Sequence, residues 1–227
     1  MEEITLIAHK DKKSPISEAY RSIRTNLIFA SAGKKEKIIS ITSATPGEGK
    51  STTSSNLAII MAQAEKRVLL IDCDLRKLSL QKKFNLQNKG LTNYIAMNES
   101  LDDVLYVDVV PGLDLLLSGP VPPNPSELLG SKKMEELLKL VEEQYDYIFL
   151  DLPPILAVTD AAVLAKYING TIFVMQAGAL GKNEALEAKK RLTQSGVEIL
   201  GIVLNKVEPT KHSGSYYYYY GEKDLKP

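Results

Sequence analysis

The chain carries one cysteine, two histidines, no excess of either charge and no long apolar run, and each shortage closes off a class of function. A single thiol, Cys73, excludes an intrachain disulfide and suits a reducing compartment. It lies in a hydrophobic strand pattern, so the thiol is expected to be buried and inert. His9 and His212 sit in polar segments near opposite termini, and nothing supports a metal role for either. Lys plus Arg and Asp plus Glu both number 28, so the basic excess of a nucleic-acid-binding domain is missing. No apolar run reaches the roughly 18 residues that a membrane span needs, and the N-terminal MEEITLIAHKDKK holds no signal-peptide core. The expectation is a cytoplasmic chain with no nucleic-acid partner and no direct membrane insertion, any membrane association coming through a partner.

What is present is an ordinary globular composition, 44% hydrophobic and 25% charged, in 227 residues. Apolar strand patterns alternate with amphipathic helical ones. Strands are predicted at 38–43, 67–73, 113–117, 147–150, 171–176 and 199–204. Helices are predicted at 17–31, 50–65, 91–97, 101–105, 132–144, 159–167 and 182–195. That alternation implies an α/β fold, a doubly wound and mainly parallel sheet with helices on both faces. Ile4–Ala8 reads as a short strand, the basic stretch up to Lys83 as irregular, and the loop SGPVPPNPSELLG as too rich in proline for regular structure. Residues 1–206 are expected to form one domain and 207–227 a flexible tail carrying the tyrosine cluster.

The central signal is KIISITSATPGEGKSTT, Lys37 to Thr53. A buried strand breaks into a glycine turn that opens onto a helix, the arrangement a phosphate-binding loop requires. The pattern is A-x-x-x-x-G-K-S, with Ala44 where the strict rule has glycine. Pro46, Gly47, Glu48, Gly49, Lys50, Ser51 and Thr52 are the candidate nucleotide contacts, with Lys50 reaching the β- and γ-phosphates and Ser51 holding Mg²⁺. In parallel sheets ligands bind beyond the carboxyl ends of the strands, where Asp72, Asp74 and Asp151 all lie. Asp72 and Asp74, two apart, share one face of a strand end. Asp151 closes YIFLD, as a metal-holding acid of phosphate-loop enzymes does.

Glu18, Arg21 and Arg24, three apart on the first long helix, wind along a different side from its apolar stripe of Tyr20, Ile23, Leu27 and Ala30, and are expected to be free. Tyr216, Tyr217, Tyr218, Tyr219 and Tyr220 form an unbroken run between glycines and serines. They cannot all be core residues, because a strand or helix would send some rings into solvent. Accessible hydroxyls on a mobile tether suit phosphoacceptors.

Taken together, A-x-x-x-x-G-K-S, L-L-I-D-x-D-x-R, I-F-L-D-x-P-P, E-x-x-R-x-x-R and the tyrosine tail resemble a bacterial tyrosine kinase. The resemblance is to the separate kinase subunit of Gram-positive capsule and exopolysaccharide systems, and it covers essentially the whole chain. It implies ATP and Mg²⁺ as cofactors, Asp72 as the base that takes the tyrosine proton, Asp74 in catalysis and metal support, and Asp151 as a metal carboxylate. It places Glu18, Arg21 and Arg24 in the interface of a homo-oligomeric ring, an octamer in the family. It further implies a separate transmembrane activator that recruits the chain to the inner face of the membrane, and a cognate tyrosine phosphatase. Arg76 matches the motif without a role of its own, and Asn205 lies where related ATPases contact adenine. Two rivals stand beside this reading. One is a partitioning or division-site ATPase that dimerises on ATP, whose loop carries a lysine where Thr45 stands here. The other is a non-catalytic nucleotide-dependent regulator, against which the intact Lys50, Ser51, Asp72 and Asp151 argue.

Overall fold

The run IISITS forms β1 (Ile38–Ser43), buried along its whole length. In this computed structural model, which describes residues 4–30, 37–158 and 160–208, it lies inside a seven-stranded sheet. The others are β2 (Val68–Asp72), β3 (Tyr106–Val110), β4 (Leu113–Leu116), β5 (Tyr147–Asp151), β6 (Gly170–Gln176) and β7 (Ile199–Asn205). Their order is β3-β4-β2-β5-β1-β6-β7, parallel throughout except for β3 against β4. Strands covered on both faces need apolar residues at nearly every position, which is why β1, β2 and β5 read as continuous runs. Successive side chains still divide: Leu69 and Ile71 join one core, Val68 and Leu70 the other.

One face is covered by α1 (Ile7–Lys10), α2 (Pro15–Ala30), α3 (Lys50–Ala62) and α4 (Leu80–Phe84). The other is covered by α5 (Leu91–Ala96), α6 (Leu101–Val104), α7 (Pro125–Leu129), α8 (Lys132–Glu142), α9 (Asp160–Leu164) and α10 (Lys182–Gln194). The predicted doubly wound architecture is borne out. Helix α3 lies between the sheet and α1–α2 and is buried nearly all round, so its Ser54, Ser55 and Asn56 turn their polar atoms onto the carbonyls of Ser51 and Thr52. Ser14 caps α2, accepting from the Ser17 N–H at 3.1 Å, and Pro15 takes the first helical position.

Several expectations are corrected. The segment 4–8 is not a strand. It leads into α1, because the Ala8 backbone N–H donates to Asn56 Oδ1 and its carbonyl accepts from Gln63 Nε2, both on or beside α3, in place of a strand partner. The proline-rich loop contains α7, started by Pro125, and the basic stretch contains α4. The helix expected at 159–167 is α9 followed by one 3₁₀ turn, Ala165–Tyr167. Strand β3 was not expected; it is a half-exposed edge broken at Asp108, whose φ is 51°. Arg21 and Arg24 are not free. Arg21 bonds Glu18 at 2.5 Å and the Lys12 carbonyl, while Arg24 reaches the Ile60 carbonyl on α3 at 3.4 Å. Cys73 is a buried free thiol, as expected. No described helix is long and apolar enough to cross a membrane. The five tyrosines, His212 and the tail from 209 onward lie outside the described residues.

Candidate active site

Between β1 and α3 the chain turns through Gly47 (φ +90°) and Gly49 (φ +98°), a region that L side chains rarely enter. Gly49 is also crowded: a β-carbon there would lie 2.0 Å from Asn205 Nδ2. That amide belongs to the end of β7 and donates to the Glu48 carbonyl at 2.9 Å, while Lys206 Nζ donates to the Gly47 carbonyl at 2.9 Å. Glu48 turns its carboxylate inward, accepting from Thr45 N–H and Oγ1 at 2.6 and 2.9 Å and from the Gln176 N–H at 3.1 Å. The loop is thus held from behind by two neighbouring strand ends, and Asn205 and Glu48 serve its shape and do not line its open side. Gly49→Ala should therefore weaken nucleotide binding by tenfold or more in a fluorescent-ADP titration, with Asn205→Ala in the same chain restoring only part, since the backbone strain stays.

Lys50 opens α3 and is 7% exposed. Its Nζ lies 2.9 Å from Asp74 Oδ2, 3.7 Å from Asp151 Oδ2 and 3.2 Å from Ser51 Oγ. Asp72 and Asp151 are register partners on β2 and β5, so the sheet sets two carboxylates side by side. Asp72 Oδ1 accepts the Asp74 N–H at 3.2 Å. Asp72 Oδ2 and both oxygens of Asp151 are buried without a hydrogen-bond partner.

The electrostatics follow from this crowding. Burial, reinforced by Asp151, pushes the Asp72 carboxyl well above the usual range, and Lys50 offsets only part. Burial also raises Asp151, against the pull of Lys50 and of the neighbouring Ser51 and Ser54 hydroxyls, which lie near its carboxylate without forming well-shaped hydrogen bonds. Burial alone would lower Lys50, but Asp151 and Asp74 outweigh it and hold the ammonium above its ordinary value. One lysine faces three carboxylates, so the ionised cluster carries two negative charges too many. Oxygens buried without partners are costly, and a divalent cation would relieve both that cost and the surplus charge. The residues therefore fit Mg²⁺. Among the described residues no group of three His, Cys, Asp or Glu side chains is by itself arranged to hold a metal ion.

The loop opens onto a cavity of about 900 Å³ lined by Pro46, Gly47, Gly49, Lys50, Ser51, Thr52 and Asp74, with Pro153 and Pro154 on a second wall. The same cavity is lined by four basic residues, Arg76, Lys77, Lys82 and Lys83. Lys83 donates to Thr52 Oγ1 at 2.9 Å, and burial pushes its pKa down. Neither Lys83 nor the Asp160 behind Arg76 was singled out from the sequence; both owe their place to contacts 31 and 84 residues away. Glu18, Arg21 and Arg24 are not among the residues lining this cavity.

Comparisons with known proteins agree on the kind of protein. Residues 36–183 match the family described as an AAA domain. The chain is 46% identical over 220 residues to the tyrosine-protein kinase YwqD of Bacillus subtilis, covering 96% of this chain and 92% of that one. It is 40% identical over 229 residues to the tyrosine-protein kinase CpsD of Streptococcus agalactiae, covering 100% and 99%. The kinase domain of the Escherichia coli tyrosine kinase ETK superposes with a TM-score of 0.88 at 37% identity, covering 93% of this chain and 83% of that chain. The septum site-determining protein MinD of Pyrococcus horikoshii, at 24% identity and a TM-score of 0.64 over 79% of this chain and 76% of that one, shares the fold alone. A nucleotide-phosphate loop over a basic cavity, in a chain so widely matched to tyrosine-protein kinases, leads to one conclusion: the chain belongs to the bacterial tyrosine kinase family.

Proposed function

We propose that the chain transfers the γ-phosphoryl group of ATP to tyrosine hydroxyls, with Mg²⁺ as cofactor, and that its own tail is an acceptor. The observation carrying this is the cluster of buried carboxylates around Lys50 beneath the phosphate loop, with three carboxylate oxygens lacking a hydrogen-bond partner. Lys50 and the loop N–H groups bind the β- and γ-phosphates, and Pro46, Gly47, Gly49 and Thr52 complete the cradle. Ser51, Asp74 and Asp151 hold Mg²⁺, directly or through water. When bound, Mg²⁺ neutralises charge on the phosphate oxygens and lets the buried acids ionise. Asp72, made more basic by burial beside Asp151, takes the phenolic proton as the tyrosine oxygen bonds to phosphorus. The bond to the bridging oxygen breaks with its electron pair, and ADP leaves.

Residues 207–227 act as the acceptor tail, and Tyr216 to Tyr220 as its phosphoacceptors. The tail reaches a neighbouring subunit in a ring, an octamer as in the resembled family, through an interface that includes Glu18, Arg21 and Arg24. Exposed Ile28 and Phe29 on α2 and Ile202 and Leu204 on β7 supply the apolar surface such an assembly would cover. Each added phosphate brings about −1.5 to −2 charges, so repeated phosphorylation drives the tails apart and dissolves the ring. A transmembrane activator recruits the chain and favours ATP binding, a phosphatase resets the tail, and the cycle regulates capsule or exopolysaccharide export.

The test is label transfer from [γ-³²P]ATP with Mg²⁺. Wild-type chain should become labelled on the tail. A variant with all five tail tyrosines changed to phenylalanine should lose most of the label, a drop of about tenfold or more in labelling rate, while keeping its ADP affinity. Undiminished labelling of that variant would place the acceptor elsewhere.

A further inference from the structure

Arg76 is anchored from behind by a carboxylate that the phosphate loop does not use. Asp160, at the start of α9, is wholly buried. It accepts Ser126 Oγ at 2.5 Å, Arg76 Nη2 at 3.2 Å and Arg76 Nε at 3.4 Å. Arg76 Nη2 also lies 3.4 Å from Ser126 Oγ. The three residues come from the loop after β2, from α7 and from α9, so the fold has brought three separate segments to one guanidinium. The Arg76 side chain is 42% exposed, and it lines the cavity together with Lys50 and Asp74.

A guanidinium is a rigid planar fork, so fixing Nε and Nη2 on one side fixes the direction of Nη1 on the other. A surface arginine that merely sought solvent would not need a buried carboxylate, itself held by a serine hydroxyl, to set its plane. Resting on the phosphotransfer proposed above, we infer that Arg76 is a catalytic residue whose free edge binds the transferring phosphoryl group within the cavity that Lys50 also lines. Asp160, with Ser126, is the positioning residue that aims it. As that group leaves the bridging oxygen and before the tyrosine oxygen has fully bonded, negative charge spreads over its three outer oxygens. A preset cation there acts on the transition state more than on bound ADP, which lacks the group altogether.

The experiment compares affinities for Mg·ADP and for Mg·ADP with aluminium fluoride, which supplies a planar stand-in for the phosphoryl group, alongside the labelling rate. Arg76→Gln should leave ADP affinity within about threefold while weakening the aluminium fluoride complex and the labelling rate about 10²–10³-fold, the scale of losing one preorganised donor. Asp160→Asn should weaken the same complex tenfold or more in the wild-type background and have no further effect in Arg76→Gln chain, because it acts through Arg76. Ser126→Ala, which leaves no charge unpaired, should move the ratio of the two affinities several-fold in the same direction and serves if Asp160→Asn does not fold. An unchanged affinity ratio in Arg76→Gln, or equal losses from Asp160→Asn with and without Arg76, would make the cluster a purely structural staple and overturn the proposal. Failure of wild-type chain to label tyrosine would instead strike the kinase reading, and the binding ratio would still decide whether Arg76 meets a phosphoryl group.

Discussion

Asp72→Asn should lower tyrosine labelling about 10²–10⁴-fold, the usual contribution of a positioned general base, and at the same time raise the melting temperature of nucleotide-free chain at pH 7. Both effects come from one side chain. Asp72 is 1% exposed, lies beside Asp151 across the β2–β5 register, and leaves Oδ2 without a hydrogen bond. Its folded pKa is raised above the ordinary 3.8, by burial first and by Asp151 second. A raised folded pKa means that the favourable contribution of this group is fully present below pH 3.8 and is lost as pH rises through the folded value. As pH rises above 3.8 the wild-type chain progressively loses it. Asparagine never ionises, and its Oδ1 can still accept the Asp74 N–H that Asp72 accepts at 3.2 Å. Each kcal/mol so relieved should add about 2–4 °C in a chain of this size. Scanning calorimetry from pH 4 to 8 should show the gap between the two proteins widening with pH and closing toward pH 4. In the wild type the labelling rate should rise with pH through the same titration, because the base must lose its proton first. A variant that keeps its activity would remove Asp72 from the chemistry, and one that melts lower at every pH would refute the stored strain.

The residues that could be read from the sequence are those whose meaning is local. Lys37 to Thr53 reveals a strand, a glycine turn and a helix start because each step has its own short-range signature: β-branched residues, positive-φ glycines at 47 and 49, and a lysine and serine at the helix head. Asp72 and Asp151 were legible because a single acid after an apolar run marks a strand end in a parallel sheet. What decides the other parts is long-range. Ile4 to Ala8 has the composition of a strand, but Asn56 and Gln63 on the far side of the chain satisfy its backbone and make it helical. Strand β3 shows no alternation to find, since Asp108 kinks it and among the described strands it pairs with β4 alone, at the sheet edge. Lys83 looks like any lysine in KLSLQKKF until α4 turns it toward Thr52. Asp160 and Arg76 meet over a separation of 84 residues, and no spacing rule reaches that far. Helix α3 is the converse case. Its Ser54-Ser55-Asn56 would suggest a solvated face, yet it is buried because those side chains bond their own helix and α1.

Lys50→Met should abolish labelling as Asp72→Asn does, but should move stability the other way. Among the described residues Lys50 is the cation paired with the acidic cluster, 2.9 Å from Asp74 and 3.7 Å from Asp151. Methionine preserves most of the apolar stem and removes the charge, leaving three buried carboxylates facing one another. Breaking a buried pair by deleting one partner costs about 3–5 kcal/mol, which at neutral pH should lower the melting temperature on the order of 10 °C. The sign against pH is fixed by the same linkage: without Lys50 the Asp72 and Asp151 carboxyls are raised further, so the loss is greatest at neutral pH and shrinks as pH falls toward 3.8 and those two take up protons. Nucleotide affinity should fall by tenfold or more, because the ammonium also serves the β- and γ-phosphates. A variant with wild-type melting at pH 7 would show that the cluster does not depend on this lysine, and retained labelling would refute its catalytic place. The pairing of the two variants carries the stronger argument. Damage to folding would lower activity and stability together in both, whereas three buried carboxyls gathered around one lysine require activity to fall in both while stability rises with the loss of Asp72 and falls with the loss of Lys50.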